Sequence, residues 1–159
     1  MSVADLDRID LSILTALQHE GRISNAELAE RVGLSPSACL RRVQRLEADG
    51  VIAGYGARVE PKRVGLGLEA FVRVQLRSHE ADSVQAFVAR VQDWDEVVAC
   101  HALTGDMDYL LHVAVQDLDH FSRFLLDRLL GAGVADVNTS FVLRTVKPRR
   151  GLPLAHLAD

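Results

Sequence analysis

The apolar residues change period once along this 159-residue chain, and that change predicts an α+β protein in two parts. From Leu6 to about Val59 they recur at helical spacing, in three short runs with marked ends. Beyond a stretch rich in Pro, Gly and basic residues, Pro61 to Gly67, they alternate, with two helical runs set between the alternating ones. The first part has the order helix, short helix, Gly turn, basic helix and short extended segment, which is the pattern of a winged helix-turn-helix. The second has the order β-α-β-β-α-β, a ferredoxin-like sandwich. The boundaries expected are a helix-turn-helix over 1–60, a hinge over 61–67, a sandwich over 68–148 and a tail over 149–159.

The first helix is expected from Leu6 to Gly21. Leu6, Ile9, Ile13, Leu14 and Leu17 share a face, and Asp5, Asp7 and Asp10 stand near the positive end of its dipole. Ser24-Asn25-Ala26-Glu27 is a capping box opening the second helix, with Leu28, Ala29 and Val32 on its apolar side. After Gly33, Ser35 caps a third helix, Pro36 takes its first position and Gly50 closes it. Cys39, Val43 and Leu46 make its core stripe. Ser37, Ala38, Arg41, Arg42 and Arg45 stand on the other side. Val51 to Tyr55 is expected as a short strand or wing.

In the second part, Ala70, Val72, Val74 and Leu76 alternate with Phe71, Arg73, Gln75 and Arg77, as in a half-buried strand. Ser83 is expected to cap a helix carrying Val84, Phe87, Val88 and Val91. Strands follow at Val97 to Thr104 and Asp108 to Val115, joined through Gly105-Asp106-Met107. Asp117 caps a helix carrying Leu118, Phe121, Phe124, Leu125 and Leu129, ended by Gly131 and Gly133. The last strand is expected over Val137 to Lys147. Both helices cover one sheet face. The other face reads as largely apolar, which predicts a dimer paired sheet to sheet.

Composition narrows the function classes. No apolar run is long enough for a membrane span, and MSVADLDRID has no hydrophobic leader segment. Two cysteines, on elements of different parts, argue for a reducing cytoplasm rather than a disulfide scaffold. Cys100, His101 and His112 lack zinc-ligand spacing, so no metal is expected. The net charge is −4, and residues 1–60 alone hold seven Arg against nine acids. Bulk charge does not drive this chain onto nucleic acid; a local basic face on an acidic body remains.

In a major-groove reader the start of the second helix of the motif approaches base edges, which places Ser37, Ala38, Arg41 and Arg42 deepest. Arg45 lies a turn further on, toward phosphate. Ser24, Asn25 and Ser35 stand at helix N-termini, where backbone N–H groups suit a phosphate. Three arginines alone fit a solvated face equally well, with Arg45 paired to Glu47 or Asp49. Thr104 to Asp108 reads first as a hairpin turn in which Asp106 bonds its own backbone. Its other reading is a site where Gly105 exposes N–H groups to a carboxylate and Asp106 or Asp108 takes an amino group. Arg149-Arg150 reads as a solvated pair, and LPLAHL as a segment that docks on a partner.

The blocks LDRIDLSILTALQHEGRISNAELAERVGLSPSACLRRVQRLEADGVIAGYGA (6–57), CHALTGDMDYLLHV (100–113) and SFVLRTVKP (140–148) resemble the Lrp/AsnC, or feast/famine, family of transcriptional regulators. The resemblance implies DNA binding through the helix-turn-helix and a C-terminal domain for effector binding and oligomerisation. It implies dimers that assemble into tetramers, octamers or larger rings, with an amino acid bound between dimers at Thr104, Gly105, Asp106, Met107 and Asp108. Met107 stands where the family usually has an aromatic residue. No cofactor besides that effector is implied. The partners expected are double-stranded DNA, further copies of the chain and a small molecule. Two rivals share the outline. One is a tetrapyrrole-modifying enzyme of the sirohaem decarboxylase type, which has no use for the Arg41-Arg42-Arg45 face. The other is an architectural DNA-organising protein without an effector.

Overall fold

The computed structural model describes residues 6–148 and 151–157; Asp5 and the Arg149-Arg150 pair lie outside them. The chain divides into two units. One takes it as far as Arg58 and takes it up again at Lys147; the other is Val59–Val146.

The first unit is held by three helices whose ends the sequence marks. α1 is Arg8–His19, capped by Asp7 in a reciprocal box: the Asp7 carboxylate accepts from the Asp10 N–H at 2.8 Å, and the Asp7 N–H donates to Asp10 at 3.2 Å. α2 is Asn25–Val32, with the Ser24/Glu27 box in place. Gly33 ends α2 at φ 71°, a left-handed turn that sends the chain straight into the next helix. α3 is Pro36–Ala48, capped by Ser35, with Asp49 and then Gly50 beyond its end. Ile13, Leu14, Ala16, Leu28, Ala29, Cys39 and Leu46 form one buried cluster. Small Ala29 is almost fully buried there.

The short strand expected at Val51 to Tyr55 does not form: residues 51–60 carry no strand. The Val51 and Ile52 N–H groups turn back onto the Leu46 carbonyl, closing α3, and Gly54 and Gly56 follow. The segment after Lys147 also departs from expectation, because it lies on this chain's own first unit. Leu154 packs against the buried cluster. The Gln18 amide donates to the Leu152 carbonyl at 3.4 Å and its oxygen accepts the Leu152 N–H.

The second unit has the order β1 (Leu68–Leu76), α4 (Ala81–Gln92), β2 (Val97–Ala102), β3 (Tyr109–Val115), α5 (Leu118–Arg123) and β4 (Val134–Phe141). A 3-10 turn, Pro61–Val64, precedes β1, and α5 runs on as π-helical turns over Phe124–Leu129. The strands lie in the order β2-β3-β1-β4, every pair antiparallel. This is the ferredoxin-like arrangement. Ala70, Val72 and Val74 of β1, with Tyr109, Leu111 and Val113 of β3, face the helices and pack on Phe87, Val91, Phe121 and Phe124.

Three expectations are corrected here. α4 starts at Ala81, with Glu80 at its cap and no side-chain bond there; Ser83 falls inside the first turn, and the Ser78 hydroxyl takes the Glu80 N–H. β4 covers Val134–Phe141 rather than 137–147, since its partner β1 pairs only from Phe141 back to Val134. The open sheet face is mixed rather than apolar. β1 and β4 place Glu69, Arg73, Gln75, Asn138 and Ser140 on it, with Arg73 bonded to Asn138 at 2.8 Å and His112 to Glu69 at 2.9 Å. Phe71, stacked on His112 with ring centroids 4.8 Å apart, is its large apolar element.

Because the two buried clusters share no residue, Leu46→Ala and Leu111→Ala should each weaken a different unit. Both side chains are fully buried, so each change is expected to cost about 3 kcal/mol. Urea unfolding followed by amide exchange should show protection lost mainly in the unit that carries the change.

Candidate nucleic-acid interface and effector loop

The residues expected on the basic face fall into two groups. Ser24, Asn25 and Ser35 sit at the starts of α2 and α3, as the sequence requires, and each already has an internal partner. Ser24 and Ser35 accept the N–H groups of Glu27 and Ala38. The Asn25 amide donates to the Pro36 carbonyl at 2.8 Å, tying the first turn of α2 to the first turn of α3. Among the described residues the Ser37 hydroxyl bonds only that of Ser35, at 3.3 Å. Ala38 is half-buried beside it, and Arg41 is exposed with no partner among the described residues.

Arg42 and Arg45 differ. Arg42 donates to Asp7 at 2.7 Å and to Asp10 at 2.9 Å, and Arg45 donates to the other oxygen of Asp10. Asp10 has no solvent exposure and is the one buried charged residue among those described. The Asp10 N–H holds the Asp7 carboxyl below its usual value, helped by Arg42. The same two carboxylates keep Arg42 firmly protonated. The alternative pairing of Arg45 with Glu47 or Asp49 does not form. Glu47 takes the Tyr55 hydroxyl instead, at 2.9 Å. Asp10 is the residue the sequence reading missed in this role: it stood there only as an acid near the positive end of the first helix's dipole, not as a partner for arginines more than thirty positions on.

The second candidate site is the connection between β2 and β3. Gly105 takes φ 114°, a backbone few other residues accept. Thr104, Gly105 and Asp106 are exposed, and Met107 is buried. Among the described residues the N–H groups of 104–107 donate to nothing within the chain. The hairpin turn held by an Asp106 side chain does not form either. Asp108 is the anchor: its carboxylate accepts the Leu76 N–H at 2.7 Å and bonds His79 at 2.8 Å, while its own N–H donates to Val74 at 2.8 Å. The Leu76 N–H, then His79, pull the Asp108 carboxyl below its usual range. Asp108 thus fixes the base of the loop, and Asp106 is the carboxylate left facing solvent. Cys100 and His101 alternate across β2, Cys100 against the core and His101 exposed. The described residues include no group of three or more His, Cys, Asp or Glu suited to a metal.

Two family models match the chain. Residues 6–53 match a winged helix-turn-helix DNA-binding domain, and residues 69–152 the Lrp/AsnC ligand-binding domain. The leucine-responsive regulatory protein of Salmonella typhimurium is 46% identical over 144 residues, covering 90% of this chain and 88% of that protein. Its Escherichia coli K12 counterpart is 45% identical over the same length. Among solved structures, a transcriptional regulator from Neisseria meningitidis in complex with L-Met superposes with a TM-score of 0.92 at 49% identity, covering 96% of this chain and 99% of that one. A feast or famine regulatory protein from M. tuberculosis complexed with L-methionine gives 0.85 at 34% identity, covering 92% and 98%.

The Asp108 anchor has an acid limit. A carboxyl whose folded value is depressed adds stability above its unfolded value, about pH 3.9, and that stability is lost as pH falls through the folded value. Asp108→Asn should lower the melting temperature at neutral pH and flatten its decline below about pH 5. An acid limb as steep as the wild type's would contradict the anchor.

Proposed function

The chain belongs to the Lrp/AsnC family of DNA-binding transcriptional regulators, and on that premise we propose that it reads a duplex through α3 and answers to a free amino acid held at the Thr104–Asp108 loop. It is a regulator with a ligand-binding domain and not an enzyme, which sets aside the tetrapyrrole-modifying alternative. The observation that carries the DNA half is the capped α2–Gly33–α3 unit, with Ser37 and Arg41 on its outer face and half-buried Ala38 beside them. Arg41 suits guanine O6 and N7 or a phosphate, and Ala38 a thymine methyl. Ser24, Asn25 and Ser35 place the two helix N-termini, with their backbone N–H groups, near phosphates. Arg42 and Arg45 flank this face.

For the effector, the free N–H groups of 104–107 suit an α-carboxylate and the exposed Asp106 an α-ammonium. Asp108, already bonded on both oxygens, orients the loop. Met107 supplies an apolar body beside it. Relatives solved with L-methionine and relatives named leucine-responsive favour an amino acid with an apolar side chain. In this reading residues 1–60 bind DNA, 61–67 are the hinge, 68–148 bind effector and assemble the oligomer, and 149–159 are a tail. Copies pair through the open sheet face around Phe71 and His112, and dimers gather into tetramers or octamers. No helix is long and apolar enough to cross a membrane among the described residues, and the cytoplasm is the compartment that fits a regulator of this kind.

A dimer gains effective concentration for a second half-site, so the site should be pseudo-palindromic and its affinity should fall steeply with salt. The full chain selected against a random duplex library should enrich such a sequence. Fluorescence anisotropy on the enriched duplex should then shift severalfold with L-methionine or another apolar amino acid, with a matching change in gel filtration. Equal affinity for all duplexes would point to the architectural rival. Indifference to every amino acid would remove the effector half.

A further inference from the structure

The sharpest unexplained feature of the DNA-binding unit is a buried carboxylate surrounded by the arginines of its own reading helix. Asp10 on α1 is fully buried and binds Arg42 and Arg45 on α3, while Asp7 takes Arg42 as well. Two carboxylates and two guanidiniums make a cluster of zero net charge. At about 100° per residue, Arg41 falls roughly opposite the core residue Cys39, whereas Arg42 and Arg45 both fall on the flank turned to α1. We propose that Asp10 is a positioning residue of the DNA-reading surface: it holds Arg42 and Arg45 as a neutral clamp that sets the roll of α3 on α1, leaving Arg41 to bring positive charge to the duplex. This rests on the DNA-binding reading above and divides its three arginines by role.

The clamp is costly to open. A guanidinium that left Asp10 for a phosphate would strip a buried carboxylate of a partner, which is far more destabilising than losing an exposed pair. Arg42 lies between two carboxylates and has the least freedom to move. Arg45 keeps exposed N–H groups but is anchored through its other nitrogen. Arg41 has no partner to lose among the described residues. Asn25, bonded to the Pro36 carbonyl, holds the start of α3 from the α2 side, so α3 is fixed at its first turn and along its middle. Specificity then depends on Asp10 although it touches no DNA.

The test is the salt dependence of binding by the full-length chain to its selected duplex and to a random duplex of equal length, with melting temperatures measured alongside. Each phosphate-neutralising side chain contributes about 1 to the slope of log affinity against log salt. Arg41→Gln should reduce the slope by about 1 per bound domain and leave the melting temperature unchanged. Arg45→Gln and Asp10→Asn should keep at least the wild-type slope, lower the melting temperature, and reduce the ratio of selected to random affinity about tenfold. Arg45→Lys, which keeps the charge and loses the planar fork, should also lower that ratio. A slope reduced by Arg45→Gln or Arg45→Lys at unchanged melting temperature would overturn the clamp, as would a slope indifferent to Arg41→Gln. Failure of the wild type to prefer any duplex would instead remove the DNA-reading premise.

Discussion

A carboxylate taken fully out of water must be met by positive charge and by hydrogen-bond donors. In the first unit one residue imposes that demand, Asp10, and the donors come from two arginines one turn apart on α3 and from the Asp7 backbone. The consequence is geometric. α1 cannot slide or roll on α3 without stripping Asp10, and α3 cannot pivot at its start because Asn25 holds the Pro36 carbonyl. The apolar cluster of Ile13, Leu28, Cys39 and Leu46 supplies cohesion but little angular preference. The polar contacts supply direction, and what they leave facing outward is Ser37 and Arg41, with Ala38 half-buried beside them.

The second unit repeats the device with backbone groups. Asp108 ties the end of the β2–β3 connection to β1 through Leu76 and to His79 beyond it. The three residues ahead of Met107 thereby become a short exposed arc at the edge of a well-packed sandwich. A rigid base under a loop of free N–H groups suits recognition of a small anion-bearing molecule, because little ordering remains to be done on binding. Val59–Val146 is joined to the first unit at both of its ends, through Arg58 and through Lys147. Any change imposed on this unit therefore has two covalent routes out.

How much of this was legible in the sequence follows from the range of each interaction. Ser24 with Glu27, Ser35 with Ala38, and Asp117 with His120 are bonds across three residues, and each helix start they mark was found. The alternation of Ala70, Val72, Val74 and Leu76 likewise showed which face of β1 is buried. What failed depended on distant partners. Ser83 was a sound cap by residue type, yet α4 begins earlier because Ser78 has already turned the chain. β4 ends where β1 stops offering a neighbour, which no local pattern in 137–147 records. The open sheet face looked apolar from β3 alone, and only the strand order brought Glu69, Arg73 and Asn138 beside it. The site was partly legible for the same reason. Arg41 was found as an exposed base-reading candidate, but the partners of Arg42 and Arg45 lie on α1, and those of Asp108 lie on and just beyond β1.

The most direct measurement is a crystal structure of the full chain on its selected duplex. Asp10 should still lie within about 3 Å of both Arg42 and Arg45, with Arg41 on a guanine edge or a phosphate. Arg45 drawn onto phosphate with Asp10 left bare, or α3 lying outside the major groove, would contradict it.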